Sequence, residues 1–107
     1  AWQYKKTEEL PFEIIDKIKN AYTKKDMITL KKFTTKKCYL YLISSIKEFD
    51  KVKLNFVPQW VDIKNNNIII IYIEWNGIWK IKNKQYRKNG FVVFKILTSS
   101  FQLDEIL

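Results

Sequence analysis

Apolar residues recur at helical spacing near the start of the chain. They lie three and four positions apart, with charged residues between them: Phe12, Ile14, Ile15, Ile18, Ala21 and Tyr22. This spacing predicts an amphipathic helix that begins at Pro11, because a proline at the first helical position loses no hydrogen bond. Asp26 predicts the N-cap of a short second helix from Met27 to Phe33.

The segment from Lys36 to Phe49 permits two interpretations. Its apolar residues recur at helical spacing as far as Phe49, but Tyr39, Tyr41 and Ile43 alternate as they would in a strand. We predict a third helix, because the helical series continues through Phe49 whereas the alternation ends at two serines.

From Lys51 onward the pattern changes to a period of two, which predicts strands. Val52, Leu54 and Phe56 alternate with polar residues. Pro58 has no N–H for the ladder, so we expect a bulge or an edge position there. The three asparagines at 65–67 predict a tight turn before the next strand.

The Asn76-Gly77 pair raises the question of where the next strand ends. Asn-Gly favours a two-residue hairpin turn, but that hairpin would place Lys80 opposite Ile73 on the apolar face. An uninterrupted strand keeps every second residue from Ile69 to Ile81 on one apolar face. We therefore predict one long strand that bends at Gly77.

The rest of the chain predicts two further strands. We expect a turn within residues 82–85, a strand from Tyr86 to Ile96 with a bulge at Gly90, a turn at 98–100, and a last strand from Phe101 to Ile106. Helices followed by consecutive strands are typical of an α+β fold, with the helices covering one face of an antiparallel meander. Residues 1–107 are expected to form a single domain.

The charge of the chain suggests an anionic partner, but its composition weakens that suggestion. The net charge is +9, with 19 lysines and a single arginine, the residue that best makes bidentate contacts to phosphates and bases. A basic surface for single-stranded nucleic acid would use Lys80, Lys82, Lys84 and Arg87, which are interleaved with aromatic residues. We favour a solubilising surface instead, so nucleic acid is the less favoured partner.

Candidate catalytic chemistry is sparse. The chain has no histidine and one cysteine, Cys38, so histidine-dependent catalysis and cysteine-based zinc sites are excluded, and we expect no metal and no cofactor. Asp62 and Glu74 are the only weak catalytic candidates. A carboxylate buried among aromatic residues could act as a general base, but alternation predicts that both face solvent. The longest apolar run, Ile68 to Ile73, is too short for a transmembrane segment.

The aromatic residues are the more informative set, and the ligand-binding candidates are Trp60, Tyr72, Trp75 and Trp79. Trp75 and Trp79 share a predicted face with Gly77 between them, so they could form the wall of an apolar pocket. Ordinary core packing is the simpler interpretation, and a protein-docking surface is a third.

The order of the elements resembles the nuclear transport factor 2-like superfamily, which includes ketosteroid isomerases and SnoaL-like polyketide cyclases. The likeness extends from Phe12 to Ile106 and is carried by four stretches: Ala21 to Leu30, Ile73 to Trp75, Arg87 to Phe94 and Phe101 to Ile106. It implies three helices on a curved antiparallel sheet of four to five strands, a conical pocket between the two layers, and frequent dimers.

These observations favour a small non-enzymatic binding or accessory domain. It would use a conical pocket or a sheet face for an apolar ligand or a protein partner, and it could form a homodimer through the sheet. The alternatives are an isomerase- or cyclase-like enzyme acting on a hydrophobic substrate, and a basic nucleic-acid-binding domain. The chain begins without Met, which fits either a cytoplasmic protein or export after removal of a signal peptide.

Overall fold

The protein has an α+β arrangement of three helices followed by four strands. The structure is a computed structural model that describes residues 6–107, with side chains from residue 12 onward. The elements are α1 (Lys6–Lys24), α2 (Met27–Phe33), α3 (Lys36–Ile46), β1 (Lys51–Ile63), β2 (Ile68–Ile81), β3 (Lys84–Leu97) and β4 (Gln102–Ile106).

The helices follow the sequence prediction except at two ends. Helix α1 begins at Lys6, so the predicted start at Pro11 is wrong; the acidic residues ahead of the proline favour an earlier first turn. Helix α2 has the predicted bounds, and the Asp26 carboxylate accepts hydrogen bonds from the Thr29 amide at 3.2 Å and hydroxyl at 2.6 Å. Helix α3 is confirmed as a helix but ends at Ile46 rather than Phe49.

The four strands form one antiparallel sheet in the order β1-β2-β3-β4. Strand β2 continues through Asn76-Gly77, as predicted, and the chain turns at Lys82 and Asn83, which both have positive φ. The predicted irregularity at Pro58 is confirmed. The predicted bulge at Gly90 is wrong, since β3 keeps a regular register with β2 along its whole length. The irregularity lies in the β3–β4 pairing, where Asp104 of β4 is an extra residue between the partners of Lys95 and Ile96.

The two faces of the sheet differ in what covers them. The inner face packs against the helices and carries the fully buried residues Ile71, Ile73, Ile96 and Leu103. None of the described helices covers the opposite, outer face. Several large apolar residues there remain exposed, although alternation normally reserves such a face for polar residues.

The helical layer is attached to the last strand. The Thr35 amide donates to the Leu103 carbonyl at 2.9 Å, and Thr34 forms an isolated parallel bridge with Leu103. An ion pair of 2.6 Å joins Lys37 to Glu105 at the surface. These contacts fix the first turn of α3 against β4, and they thereby set the distance of α3 from the inner face.

Candidate ligand-binding cavity

An apolar cavity of about 200 Å³ lies between the helices and the inner face of the sheet. Its sheet side consists of Leu54, Phe56, Trp75, Trp79, Val92, Phe94, Leu103 and Ile106. Its helix side consists of Ile18, Lys19 and Tyr22 from α1 and Tyr41, Leu42 and Ser45 from α3. A concave, mainly apolar site with a few polar groups is the usual form of a small-molecule pocket.

The two indole rings that the sequence analysis grouped together meet in this cavity. Trp75 and Trp79 have ring centroids 5.6 Å apart and an interplanar angle of 81°, an edge-to-face arrangement. The only two glycines of the chain lie beneath these rings. A Cβ on Gly77 would come within 2.5 Å of the Trp79 ring, and one on Gly90 within 3.3 Å of Trp75. The two glycines therefore leave the space that the indole rings occupy.

The polar groups of the cavity come from the helices. The hydroxyls of Tyr22 and Ser45 are hydrogen-bonded at 2.5 Å, and the Tyr22 ring packs against Phe49. Burial raises the pKa of Tyr22 above 10.0, although hydrogen bonds with Ser45 and Trp79 oppose the shift. The phenol is therefore a neutral hydrogen-bonding group at physiological pH. Two further helix residues with polar ends, Lys19 and the more exposed Tyr41, also line the cavity.

The two carboxylates considered for catalysis lie away from this cavity. Asp62 forms an ion pair with Lys64 at 2.8 Å. Glu74 is exposed, and its carboxylate accepts a long hydrogen bond of 3.4 Å from the Gln59 amide. No Asp or Glu is present among the described residues that line the cavity, so neither carboxylate is placed to exchange a proton with a molecule bound there.

The four aromatic candidates divide between the two faces of the sheet. Trp75 and Trp79 line the cavity, whereas Trp60 and Tyr72 are directly paired across β1 and β2 on the outer face. Sequence reasoning did not identify Tyr22 and Ser45 as part of the site. The sequence did contain a signal for them, because Tyr22 and Ser45 lie on the apolar sides of two predicted helices, and a buried hydroxyl there requires a hydrogen-bond partner.

The four basic candidates are divided as well. Lys80 and Arg87 project from the outer face, since their strand neighbours Ile81 and Tyr86 alternate to the inner side. Lys82 lies in the β2–β3 turn, and Lys84 is paired with Ile81. The predicted basic surface is thus only partly assembled by the fold.

Cys38 belongs to a second, more polar hollow of about 310 Å³ beside β4, together with Lys37, Asp104 and Glu105. Burial raises the pKa of the Cys38 thiol to about 11, so it is protonated at neutral pH and unsuited to nucleophilic catalysis. Within residues 6–107, no cluster of His, Cys, Asp and Glu is suited to a metal ion. No described helix combines the length and hydropathy needed to cross a bilayer.

Comparisons with protein-family models, curated proteins and solved structures gave no match for this chain. The likeness to nuclear transport factor 2-like domains therefore stays a prediction that rests on the order of the elements.

Proposed function

We propose that the protein is a small non-enzymatic binding domain that takes a compact apolar ligand into the cavity between its helices and its sheet. The observation that carries this proposal is the composition of the cavity, which has two indoles and several apolar side chains on one side and the side chains of Tyr22, Tyr41, Ser45 and Lys19 among those on the other. Such a site suits a molecule with an apolar body and one polar end.

The volume limits the size of the ligand. An apolar cavity of about 150 Å³ holds benzene. A cavity of about 200 Å³ admits a somewhat larger molecule, such as a bicyclic ring or a medium-length acyl chain. The ammonium group of Lys19 favours a carboxylate as the polar end, because a charge-assisted hydrogen bond is about twice as strong as a neutral one.

Titration with octanoate and 1-octanol tests the proposal, with tryptophan fluorescence as the signal. We expect both to change the emission, because Trp75 and Trp79 line the cavity, and octanoate to bind more tightly. Lys19→Gln should reduce the preference for octanoate without abolishing octanol binding. If neither compound alters the fluorescence or the thermal stability at millimolar concentration, the proposal is wrong.

Two neighbouring valines on β3 provide a matched pair of variants. Val92→Phe adds a ring inside the cavity, whereas Val93→Phe adds the same ring to the outer face. We expect the first substitution to weaken octanoate binding at least tenfold and the second to leave it unchanged. Equal effects would mean that octanoate binds elsewhere.

We also infer that the chain is a nuclear transport factor 2-like domain. The cavity occupies the space between helices and sheet in which that resemblance implies a conical pocket. The same resemblance implies a homodimer through the sheet. Sedimentation velocity at several protein concentrations tests that expectation, which predicts a species of about twice the 13.0 kDa chain mass.

A further inference from the structure

The outer face of the sheet carries a cluster of cations at one end. Strand pairing places Lys51 beside Lys80, and it places Lys53 and Arg87 on either side of Ile78. All four basic residues are exposed, and none takes part in the ion pairs found among residues 12–107. The cluster therefore presents four charges that are free to meet an external anion.

The middle of the same face carries three amides in one row. Asn55, Asn76 and Asn89 are paired directly across β1, β2 and β3. Asparagine side chains offer both donors and acceptors, the combination that recognises the edges of bases. The row separates the cationic end from the rest of the face.

The other end of the outer face carries aromatic rings that no described element covers. Trp60 is 66% exposed and Tyr72 39%, and the two are paired across β1 and β2. Phe91 is 78% exposed on β3, opposite Glu74. Rings this exposed on a regular sheet supply flat surfaces on which planar molecules can stack.

We propose that this outer face binds single-stranded nucleic acid. Phosphates would meet the cations of the cluster, bases would stack on Trp60, Tyr72 and Phe91, and the asparagines would contact base edges between them. Along β2, the eight residue steps from Tyr72 to Lys80 span about 26 Å at about 3.3 Å per residue. That length suits a short strand, since comparable sheet-based sites take about four nucleotides or more.

Three other occupants fit the face less well. A lipid surface would remove the asparagine row and the Glu74 carboxylate from water without supplying partners. A second copy of the chain would bring the same four cations and no excess of acids to pair with them, so the homodimer that the resemblance implies is the less favoured occupant of this face. Duplex nucleic acid keeps its bases stacked inside the helix, where rings on a sheet cannot reach them.

Fluorescence anisotropy with labelled U12 and dT12 oligonucleotides tests the proposal, with a 12-base-pair duplex as the comparison. We expect both single strands to bind at least tenfold more tightly than the duplex at 50 mM salt. Replacing both Lys53 and Arg87 by glutamine should lower the steepness of the salt dependence by about 1.4, because each phosphate contact on a single strand contributes about 0.7. The same exchange at Lys31 and Lys32 on α2 provides the charge-matched control, which should retain the steepness.

Aromatic variants separate stacking from general attraction. Phe91→Ala should weaken binding roughly tenfold, as expected for the loss of one stacked base. Tyr86→Ala is the control on the same strand, because Tyr86 is exposed but paired with Trp79 of the inner face, and it should change the affinity less than twofold. Retention of binding by Val92→Phe would separate this site from the cavity.

Three results would overturn the proposal. The first is no binding of either oligonucleotide at 50 mM salt. The second is equal weakening by the helix and sheet charge variants together with an unaffected Phe91→Ala, which would show general attraction to a basic chain. The third is that the protein binds no oligonucleotide but instead binds phosphatidylserine vesicles, or self-associates in a way that Phe91→Ala abolishes.

Discussion

Replacement of Gly77 by alanine tests how the cavity is built. The glycine lies on β2 beneath the ring of Trp79 and beside Leu54. An added Cβ would be 2.5 Å and 2.7 Å from two carbons of the indole and 2.8 Å from Leu54 Cδ2. Carbon atoms at optimal contact are about 3.5–4.0 Å apart, so the ring must retreat by about 1 Å, and the cavity is the space into which it can move.

The cost follows from two opposing terms. Overpacking of this kind costs about 1–3 kcal/mol. Alanine regains about 0.5–1 kcal/mol relative to glycine within a strand, because glycine loses more backbone entropy on folding. The two terms together leave a loss of about 0–2.5 kcal/mol. Because all three contacts of the added Cβ are shorter than 3.0 Å, we expect Gly77→Ala to lower the free energy of unfolding by about 1–2 kcal/mol. The retreating ring should also weaken octanoate binding.

Gly90→Ala provides the matched control. An added Cβ there would be 3.3–3.4 Å from the Trp75 indole, a contact that a small shift of the ring relieves. Its packing cost is thus close to the gain of up to about 1 kcal/mol from replacing glycine, and the net change should be near zero. Urea unfolding followed by far-UV circular dichroism measures both variants. A Gly77→Ala protein as stable as the parent, or a larger loss in Gly90→Ala, would refute this account.

Three further predictions concern single residues. Leu103→Ala should lower the free energy of unfolding by about 2–5 kcal/mol in urea titrations, because the Leu103 side chain is fully buried. Leu107 is exposed, so the control substitution Leu107→Ala should change the free energy of unfolding by less than about 0.5 kcal/mol. Hydrogen bonds from Thr29 lower the pKa of Asp26 below 3.8, so the ionised carboxylate stabilises the fold above pH 3.8 and this stabilisation is lost as the pH falls through the lowered pKa. The difference in free energy of unfolding between the parent and Asp26→Ala should therefore shrink in acid. A difference that stays constant with pH would contradict the assignment of Asp26 as a cap. Cys38, with a pKa of about 11, should react with a disulfide reagent at pH 8 far more slowly in the native protein than in urea, and equal rates would show that the thiol is accessible.

The alternation of apolar residues predicted the long strands because their inner face is buried. The series from Ile69 to Ile81 was sufficient to reject a turn at Asn76-Gly77, since a hairpin would have placed Lys80 among apolar residues. The pattern could not place the bulge that β4 makes at Asp104, opposite β3. The register shift between Lys95 and Ile96 arises from pairing with β4, and tertiary pairing of this kind leaves no local signal in the sequence.

The candidate site was predicted in part, for a related reason. Period-two spacing assigned Trp75 and Trp79 to one face, and the edge-to-face pair in the cavity agrees with that assignment. The spacing cannot show which helices lie over a strand, so the contribution of Tyr22 and Ser45 had to come from the structure. Their hydroxyls meet only because two helices far apart in sequence pack on the same side of the sheet.

The division of the aromatic residues connects the two proposals. On a sheet with one solvated face, alternation should leave that face polar. Here Trp60, Tyr72 and Phe91 break the rule at one end of the outer face, while Trp75 and Trp79 obey it on the inner face. The inner indoles are accounted for by core packing and the cavity. The outer rings keep between 39% and 78% of their surface exposed, so burial accounts for them less fully. The single-stranded nucleic acid proposed above would supply a physical reason for an aromatic surface on the same face as four cations.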